Sequence, residues 1–217
     1  MKTPLRISPI HSQLQTINAT WQTINQMPSV VTTSDDTEKI TQLGIADLSF
    51  LTRCGIKGAN VAAWLENQGI PVPTHPNTWC SLSSSGLVAR LGLNEFLIED
   101  GLDSAIAPRL AEQCQHPPAK VYPVLRQDLA IALLGPTVHD LLLQTCNINF
   151  QALNLSENPV VLTSMMGVTM IVIPGARSGL PFYRLWCDGT FGNYVWRTLL
   201  EIAEELGGGV VGAKQVV

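Results

Sequence analysis

Charge is scarce in this chain, and neither sign is concentrated anywhere. Charged residues make up 14% of the 217, with 13 Lys and Arg against 17 Asp and Glu, and no basic cluster is visible. A surface that tracks nucleic acid needs such a cluster, so that class is excluded. Long apolar runs are also lacking: none approaches the roughly 20 residues of a membrane-spanning helix. The opening "MKTPLRISPIHSQLQTINATW" has no apolar core of a secretory leader, which makes a cytoplasmic location the expectation. Cys54, Cys80, Cys114, Cys146 and Cys187 stand singly, without a Cys-x-x-Cys pair. An odd number of isolated thiols reads as reduced structural cysteine rather than a zinc site or a disulfide framework. His11, His75, His116 and His139 are far apart and form no His-x-x-x-His pattern, so no metal is expected. What the chain has in quantity is apolar residues, 46% of the total, enough for one large domain or two lobes with a real core.

Internal similarity organises that material. Laid over one another, "LTRCGIKGANVAAWLENQGIPV" and "RQDLAIALLGPTVHDLLLQTCNINF" bring Gly58 onto Gly135, Val61 onto Val138 and Leu65 onto Leu142. Both read as a strand, a Gly turn, a helix and a loop marked by Asn or Pro. "GLVARLGLNEFLIED" then reads as a hairpin turning at Gly92-Leu93-Asn94-Glu95, and "GLDSAIAPRLAEQC" as a helix with Asp103 as its N-cap. The second half answers with "MMGVTMIVIPGARSGLPFYRLWC", two strands around a Gly/Pro-rich loop, and "FGNYVWRTLLEIAEEL", an amphipathic helix stopped by Gly207-Gly208-Gly209. The expectation is an α+β fold of pseudo-duplicated β-α-β-β-α lobes with mainly antiparallel sheets. Residues 1–217 form one domain with sub-lobes 44–120 and 121–217, joined near the Pro-containing "QCQHPPAKVYPVLRQ", and residues 1–43 dock on the body.

Several residues invite a chemical reading. Lys57-Gly58 has the look of an anion-binding turn. It lacks the spacing of a phosphate loop, and its counterpart Leu134-Gly135-Pro136 has no Lys, so chain geometry explains it better. Asp47 in "ADLS" reads as a backbone cap. Trp79, Phe182, Tyr183, Trp186, Tyr194 and Trp196, with Arg177, Arg184 and Arg197 among the later ones, suit a planar acidic ligand, but core packing explains them more cheaply.

The order of these motifs resembles the aminomethyltransferase (glycine cleavage T protein) superfamily, which also contains the sarcosine oxidase gamma subunit and folate-binding proteins of iron-sulphur assembly. The resemblance runs from "ISPIHSQLQTINATW" and "MPSVV" through "EKITQLGIADLSFLTRCGIKGANVAAWL" and "RQDLAIALLGPTVHDLLL" to "FYRLWCDGTFGNYVWRTLLEIAEELGG". It implies a folate-binding fold, tetrahydrofolate as cofactor and one-carbon chemistry. It also marks departures. Where the family's transferases carry an acidic pair, "SLSSSGLVARLG" places Ala89 and Arg90. Where a Glu anchors the pterin, "IPGARSGLPFYRLW" has Gly179-Leu180, and leucine accepts no hydrogen bond. Lys214 in "VVGAKQVV" is the nearest equivalent of a family Arg. The Lys-Gly-Cys-x-Gly-Gln signature of the iron-sulphur branch is absent, which leaves the gamma-subunit type as the nearest pattern.

The ligand-binding candidates are therefore Arg90, Arg177, Leu180, Tyr183 and Lys214, and no catalytic residue is recognisable. Three functions follow. The first is an accessory or binding protein of the gamma-subunit type, with oxidase subunits or a second copy as partner. The second is a folate-dependent one-carbon transferase with a rearranged site, drawing its carboxylate from Asp47, Glu95, Glu99, Asp100 or Asp188. The third is a homo-oligomeric structural protein.

Overall fold

A computed structural model describes residues 6–217, so the first five residues of the expected docking segment lie outside the described residues. The chain begins with helix α1 (His11–Leu14), strands β1 (Ala19–Ile24) and β2 (Met27–Thr33), helix α2 (Asp36–Ile40) and strand β3 (Gly44–Asp47). It continues through β4 (Arg53–Lys57), α3 (Val61–Asn67), β5 (Thr78–Ser81), β6 (Leu87–Arg90), β7 (Glu95–Glu99), α4 (Ile106–Gln113) and β8 (Tyr122–Val124). The last part comprises β9 (Asp128–Leu134), α5 (Val138–Thr145), β10 (Val161–Met165), β11 (Val168–Arg177), β12 (Leu180–Asp188), α6 (Gly192–Glu205) and β13 (Gly209–Val210).

Two compact units result. One contains the chain up to Phe50, Asp128–Leu153 and Val161–Val217; the other contains Leu51–Gln127 and Asn154–Val160. Within the second unit the sheet order is β5-β6-β7-β4-β8, and within the first β10-β11-β12-β9-β3-β13. The α+β class with antiparallel sheets is as the sequence implies; only the β3–β13 pair is parallel among the pairings of the two large sheets.

The repeat is longer than the sequence pattern shows. The segment β4-α3-β5-β6-β7-α4 has the same element order as β9-α5-β10-β11-β12-α6, and the four strands of each occupy the same sheet order. Each lobe is thus β-α-β-β-β-α. The extra strands are the short β5 and β10, which periodicity over four or five residues does not separate from loop. The fifth strand of each sheet is exchanged. β3, which precedes β4 in sequence, pairs with β9, while β8, which precedes β9, pairs with β4. Hydrogen bonding along a neighbouring edge, not sequence adjacency, therefore allots residues 44–50 and 121–127 to the units, where the sequence pattern divides the chain at 44–120 and 121–217.

Each unit buries one sheet face under its helices. In the second unit Cys54, Ile56, Val88, Phe96 and Ile98 of the sheet pack with Val61 and Leu65 of α3 and Ala107 and Leu110 of α4. In the first, alternate residues Tyr183, Leu185 and Cys187 of β12 join Leu141 and Leu142 of α5 and Val195, Trp196 and Leu199 of α6. Those three residues share one face of β12 by the two-residue period of a strand, and the intervening Arg184 and Trp186 on its other face are buried as well. Ile10, Leu14 and Val30 of the N-terminal segment belong to the same core. Helix α6 ends as the glycine run predicts: Gly207 is left-handed (φ 80°), its N–H bonds Glu204 O at 3.0 Å, and Gly208 N bonds Ala203 O at 2.7 Å. This is a Schellman cap.

Two local expectations are corrected. Helix α4 is capped by Asp100, whose Oδ2 accepts the Ala107 N–H at 2.9 Å, and not by Asp103. The reason is position: Asp100 is buried at the end of β7, also accepting from Thr52 Oγ1 (2.9 Å) and Ser104 Oγ (2.8 Å). The Gly/Pro-rich "PGARSG" is mostly strand, because β11 runs to Arg177 and only Ser178-Gly179 form the turn. Pro174 is tolerated because β10 reaches no further than Val172, leaving no ladder bond for the missing N–H on that side.

Candidate functional site

Four of the five ligand candidates lie in the first unit and Arg90 lies in the second. Arg90, the last residue of β6, donates to Pro73 O (3.0 Å), Thr74 O (2.9 Å), Leu93 O (2.8 Å) and Gly92 O (3.4 Å), with its guanidinium 5.4 Å from the Phe96 ring centroid. It is a clamp on two loops. Arg177, at the end of β11, donates to Val216 O (3.0 Å) and Val217 O (2.6 Å). Leu180 opens β12 directly across the hairpin from it, half-buried. Lys214 is exposed on the short turn Ala213–Gln215.

Tyr183 is buried in the first-unit core, and its hydroxyl lies 2.9 Å from His139 Nε2. The His139 and Phe150 rings both meet it edge to face, at centroid distances of 5.7 and 5.6 Å. Burial pushes the phenol up to about 12, so it stays protonated at neutral pH and serves as a fixed hydrogen-bonding group. Gln151 Nε2 stands 3.4 Å from the other ring nitrogen of His139. A shallow depression with room for little more than a water borders His139, walled by Leu142, Leu143, Ile148 and Phe150 with Asn149 and Gln151 as its other polar members. Sequence reasoning missed His139 as a partner because it lies 44 positions from Tyr183. The only signal was its i, i+3 and i, i+4 spacing to Leu142 and Leu143 at the helix surface.

The acidic candidates are all engaged. Asp47 Oδ1 accepts the Ser49 N–H at 2.9 Å, the local cap its sequence context suggests. Glu95 pairs with Arg126 at 3.1 Å. Glu99 is 0% exposed and paired at 2.7 Å with Arg53 Nε, directly opposite it in the β4–β7 ladder. Asp100 caps α4 as described. Asp188 is exposed and accepts from Thr190 Oγ1 and Thr190 N, hydrogen bonds that lower its pKa.

The thiols are all free, and two carry a testable consequence. Burial, then the charges of Cys114 and Asp100, pushes Cys54 up to about 12. Burial, then Asp128 and Asp188, does the same for Cys187. A raised thiol pKa stabilises the fold fully below the unfolded value of 9.0, and that contribution is lost as pH rises toward about 12, because the unfolded thiol ionises first. Urea unfolding from pH 8 to 10.5 is therefore expected to show falling stability, with a shallower fall in Cys54→Ala and in Cys187→Ala. Among the described residues, no group of three His, Cys, Asp or Glu is placed to hold a metal, and no helix is long and apolar enough to cross a membrane.

The fold is shared with an aminomethyltransferase of the glycine cleavage system and with a chain of a sarcosine oxidase, in agreement with the resemblance drawn from the motifs. Among solved structures, aminomethyltransferase T of the glycine cleavage system from Bartonella henselae superposes with a TM-score of 0.74 at 12% identity, over 97% of this chain and 60% of that one. A chain of the heterotetrameric sarcosine oxidase from Corynebacterium sp. U-96, in complex with pyrrole 2-carboxylate, gives a TM-score of 0.67 at 17% identity, over 94% of this chain and 97% of that one. This chain thus spans about three-fifths of the transferase and nearly all of the oxidase chain. No family model matches the sequence, and no curated protein matches it.

Tetrahydrofolate, the cofactor the resemblance implies, fits these residues poorly. Leu180 offers no acceptor, Arg90 and Arg177 are spent on main-chain oxygens, and the Tyr183 hydroxyl is held by His139.

Proposed function

We propose that the chain is an accessory or binding component of the sarcosine oxidase gamma type, associated with one-carbon metabolism and without transferase catalysis of its own. The observation that carries this reading is the engagement of every candidate carboxylate: Asp47, Glu95, Glu99, Asp100 and Asp188 each hold a cap or an ion pair. General acid or base catalysis needs such a group within reach of a substrate, at a tuned pKa. The near-complete two-way coverage with one chain of a heterotetramer supports a subunit role, with oxidase-type subunits as partners. Five free thiols support a reducing, cytoplasmic setting.

Titration with tetrahydrofolate and 5-formyltetrahydrofolate tests the reading. A pterin left without its acceptor forfeits on the order of 1–3 kcal/mol or more, about 5- to 150-fold in affinity. Saturable binding is therefore expected to be absent at micromolar ligand. One-to-one micromolar binding that weakens in Tyr183→Phe or Arg177→Gln would overturn the proposal in favour of a rearranged transferase. A discrete homo-oligomer in light scattering, with no association with oxidase subunits, would favour the structural reading.

A further inference from the structure

An exposed strand edge offers unpaired N–H and C=O groups to any matching strand, and proteins blunt such edges with proline, short length or a covering segment. The edges of the two large sheets are blunted in these ways. β5 is bridged by Pro159, with Trp79 N donating to Asn158 O at 2.9 Å, β8 carries Pro123, and β13 has two residues. β10 is held at both ends, where Cys146 bridges Met165 and Val160 N donates to Asn77 O at 2.7 Å. In the small sheet the outer side of β2 is backed so closely by Gly212 that a Cβ there would lie 2.2 Å from Val31 O. β1 is different. It is six residues long, Ala-Thr-Trp-Gln-Thr-Ile, without charge or proline, and β2 is the one strand it pairs with. Its Thr20, Gln22 and Thr23 are exposed.

The groups left open on β1 follow from its turn. Asn25 (φ 49°) and Gln26 (φ 64°) form a two-residue left-handed turn, which makes Ile24 and Met27 a hydrogen-bonded pair. Bonded pairs alternate along an antiparallel ladder, so Gln22 bonds Ser29 while Trp21 and Thr23 turn N–H and C=O outward. Pro28, opposite Thr23, has no N–H to give and agrees with that parity. The register shift between Thr20 and Trp21 inserts Val31 on β2 and leaves β1 unbroken, so the same period turns Ala19 outward. Outside the ladder with β2, the main chain of residues 19–24 has no hydrogen-bond partner among the described residues.

We propose that β1 pairs antiparallel with β1 of a second copy of this chain, joining two β1–β2 sheets into one of four strands. Such an edge is its own complement about a two-fold axis, and it carries no charge with which to select a foreign chain. With the axis at Trp21, Ala19 and Thr23 of one copy meet Thr23 and Ala19 of the other as bonded pairs, while Thr20 faces Gln22 and Gln22 faces Thr20. Hydroxyl and amide each donate and accept, so these exposed side chains match in both directions. The pairing uses none of the ligand candidates, and association with oxidase-type subunits still decides the accessory reading.

Sedimentation velocity and amide exchange of the full chain, without folate or other subunits, test the pairing. A reversible dimer is expected as protein rises from about 1 to about 300 μM. Amide protection of Ala19, Trp21 and Thr23 is expected to rise with it, while Gln22 and Ile24, already bonded to β2, change little. Thr20→Lys/Gln22→Lys sets like charges opposite one another at two places and is expected to weaken the dimer at least about tenfold. Thr20→Lys/Gln22→Glu sets opposite charges across the axis in this register and is expected to restore it. Both positions are exposed, so the fold is expected to be kept, which circular dichroism checks. A monomer throughout that range, a dimer that leaves those three amides unprotected, protection at every concentration, protection gained only on adding oxidase-type subunits, or equal behaviour of the two charge variants would overturn the proposal.

Discussion

Glu99→Ala is expected to lower unfolding free energy by about 3–5 kcal/mol, the cost of leaving one member of a buried ion pair without its partner. The Arg53 and Glu99 side chains are 4% and 0% exposed, and their Nε–Oε2 distance is 2.7 Å. The two residues sit opposite one another on β4 and β7, so neither can turn to water without opening the ladder between two interior strands of that sheet. A loss of this size shifts Tm by roughly 2–4 °C per kcal/mol in a chain of this length, about 6–20 °C in all. Arg53→Met is expected to do similar damage by stranding the carboxylate. The double variant Arg53→Met/Glu99→Leu is expected to cost clearly less than the sum, because it removes both charges and returns apolar volume. Additive losses would show that the pair is not the source of the effect. The cycle also bears on function, because Glu99 is among the carboxylates a transferase would need. A catalytic Glu99 would lose activity on Glu99→Gln with little loss of stability, whereas a structural one has no activity to lose.

The buried pair shows what kind of information the sequence carries. Arg53 in "LTRCGIK" and Glu99 in "EFLIED" stand inside apolar runs, a sign that each is buried with a partner. Which partner is a matter of register, and register between strands 46 residues apart is not written locally. The same holds for the other site residues. Arg90 and Arg177 read as cations free to bind an acidic ligand, but their acceptors are main-chain oxygens at positions 73, 74, 92, 93, 216 and 217 that any residue type would supply. Sequence pattern was sufficient where the physics is local. The glycine cap of α6, a hairpin turn close to the expected residues 92–95 and the burial of Tyr183, Trp186 and Trp196 follow from spacing and composition, whereas Trp79 and Phe182 are half-buried and Tyr194 is exposed. It failed for β5 and β10, too short to show a period, and for the exchange of β3 and β8, which depends on which edge each strand finds.

The Gly58 and Gly135 turns are where local and non-local information meet, and substituting either glycine is expected to be as damaging as breaking the ion pair. Gly58 adopts φ 132° and Gly135 φ 144°, conformations L side chains rarely take. A Cβ on Gly58 would lie 2.1 Å from Lys120 O, and one on Gly135 would lie 2.3 Å from Gln42 O, main-chain atoms that cannot move aside. Backbone strain of about 1–3 kcal/mol and overpacking of about 1–3 kcal/mol add, so Gly58→Ala and Gly135→Ala are each expected to cost about 4 kcal/mol in urea unfolding. Gly92→Ala, with nothing within 4 Å and no left-handed φ, is the neutral control. The two turns also share their hydrogen bonds. Gly58 N donates to Asn94 O, Asn60 N to Lys120 O and Val61 N to Gly58 O; Gly135 N donates to Pro181 O, Thr137 N to Gln42 O and Val138 N to Gly135 O. An anion-binding turn needs those amides free to converge on a ligand. Here three in each turn are committed to carbonyls, so Lys57→Ala is expected to leave stability and any anion binding unchanged, while the glycine beside it is indispensable. A Lys57→Ala variant that lost phosphate binding would reverse that assignment. The duplication therefore survives in backbone geometry, down to individual hydrogen bonds, at a turn where the two halves share one glycine and little else.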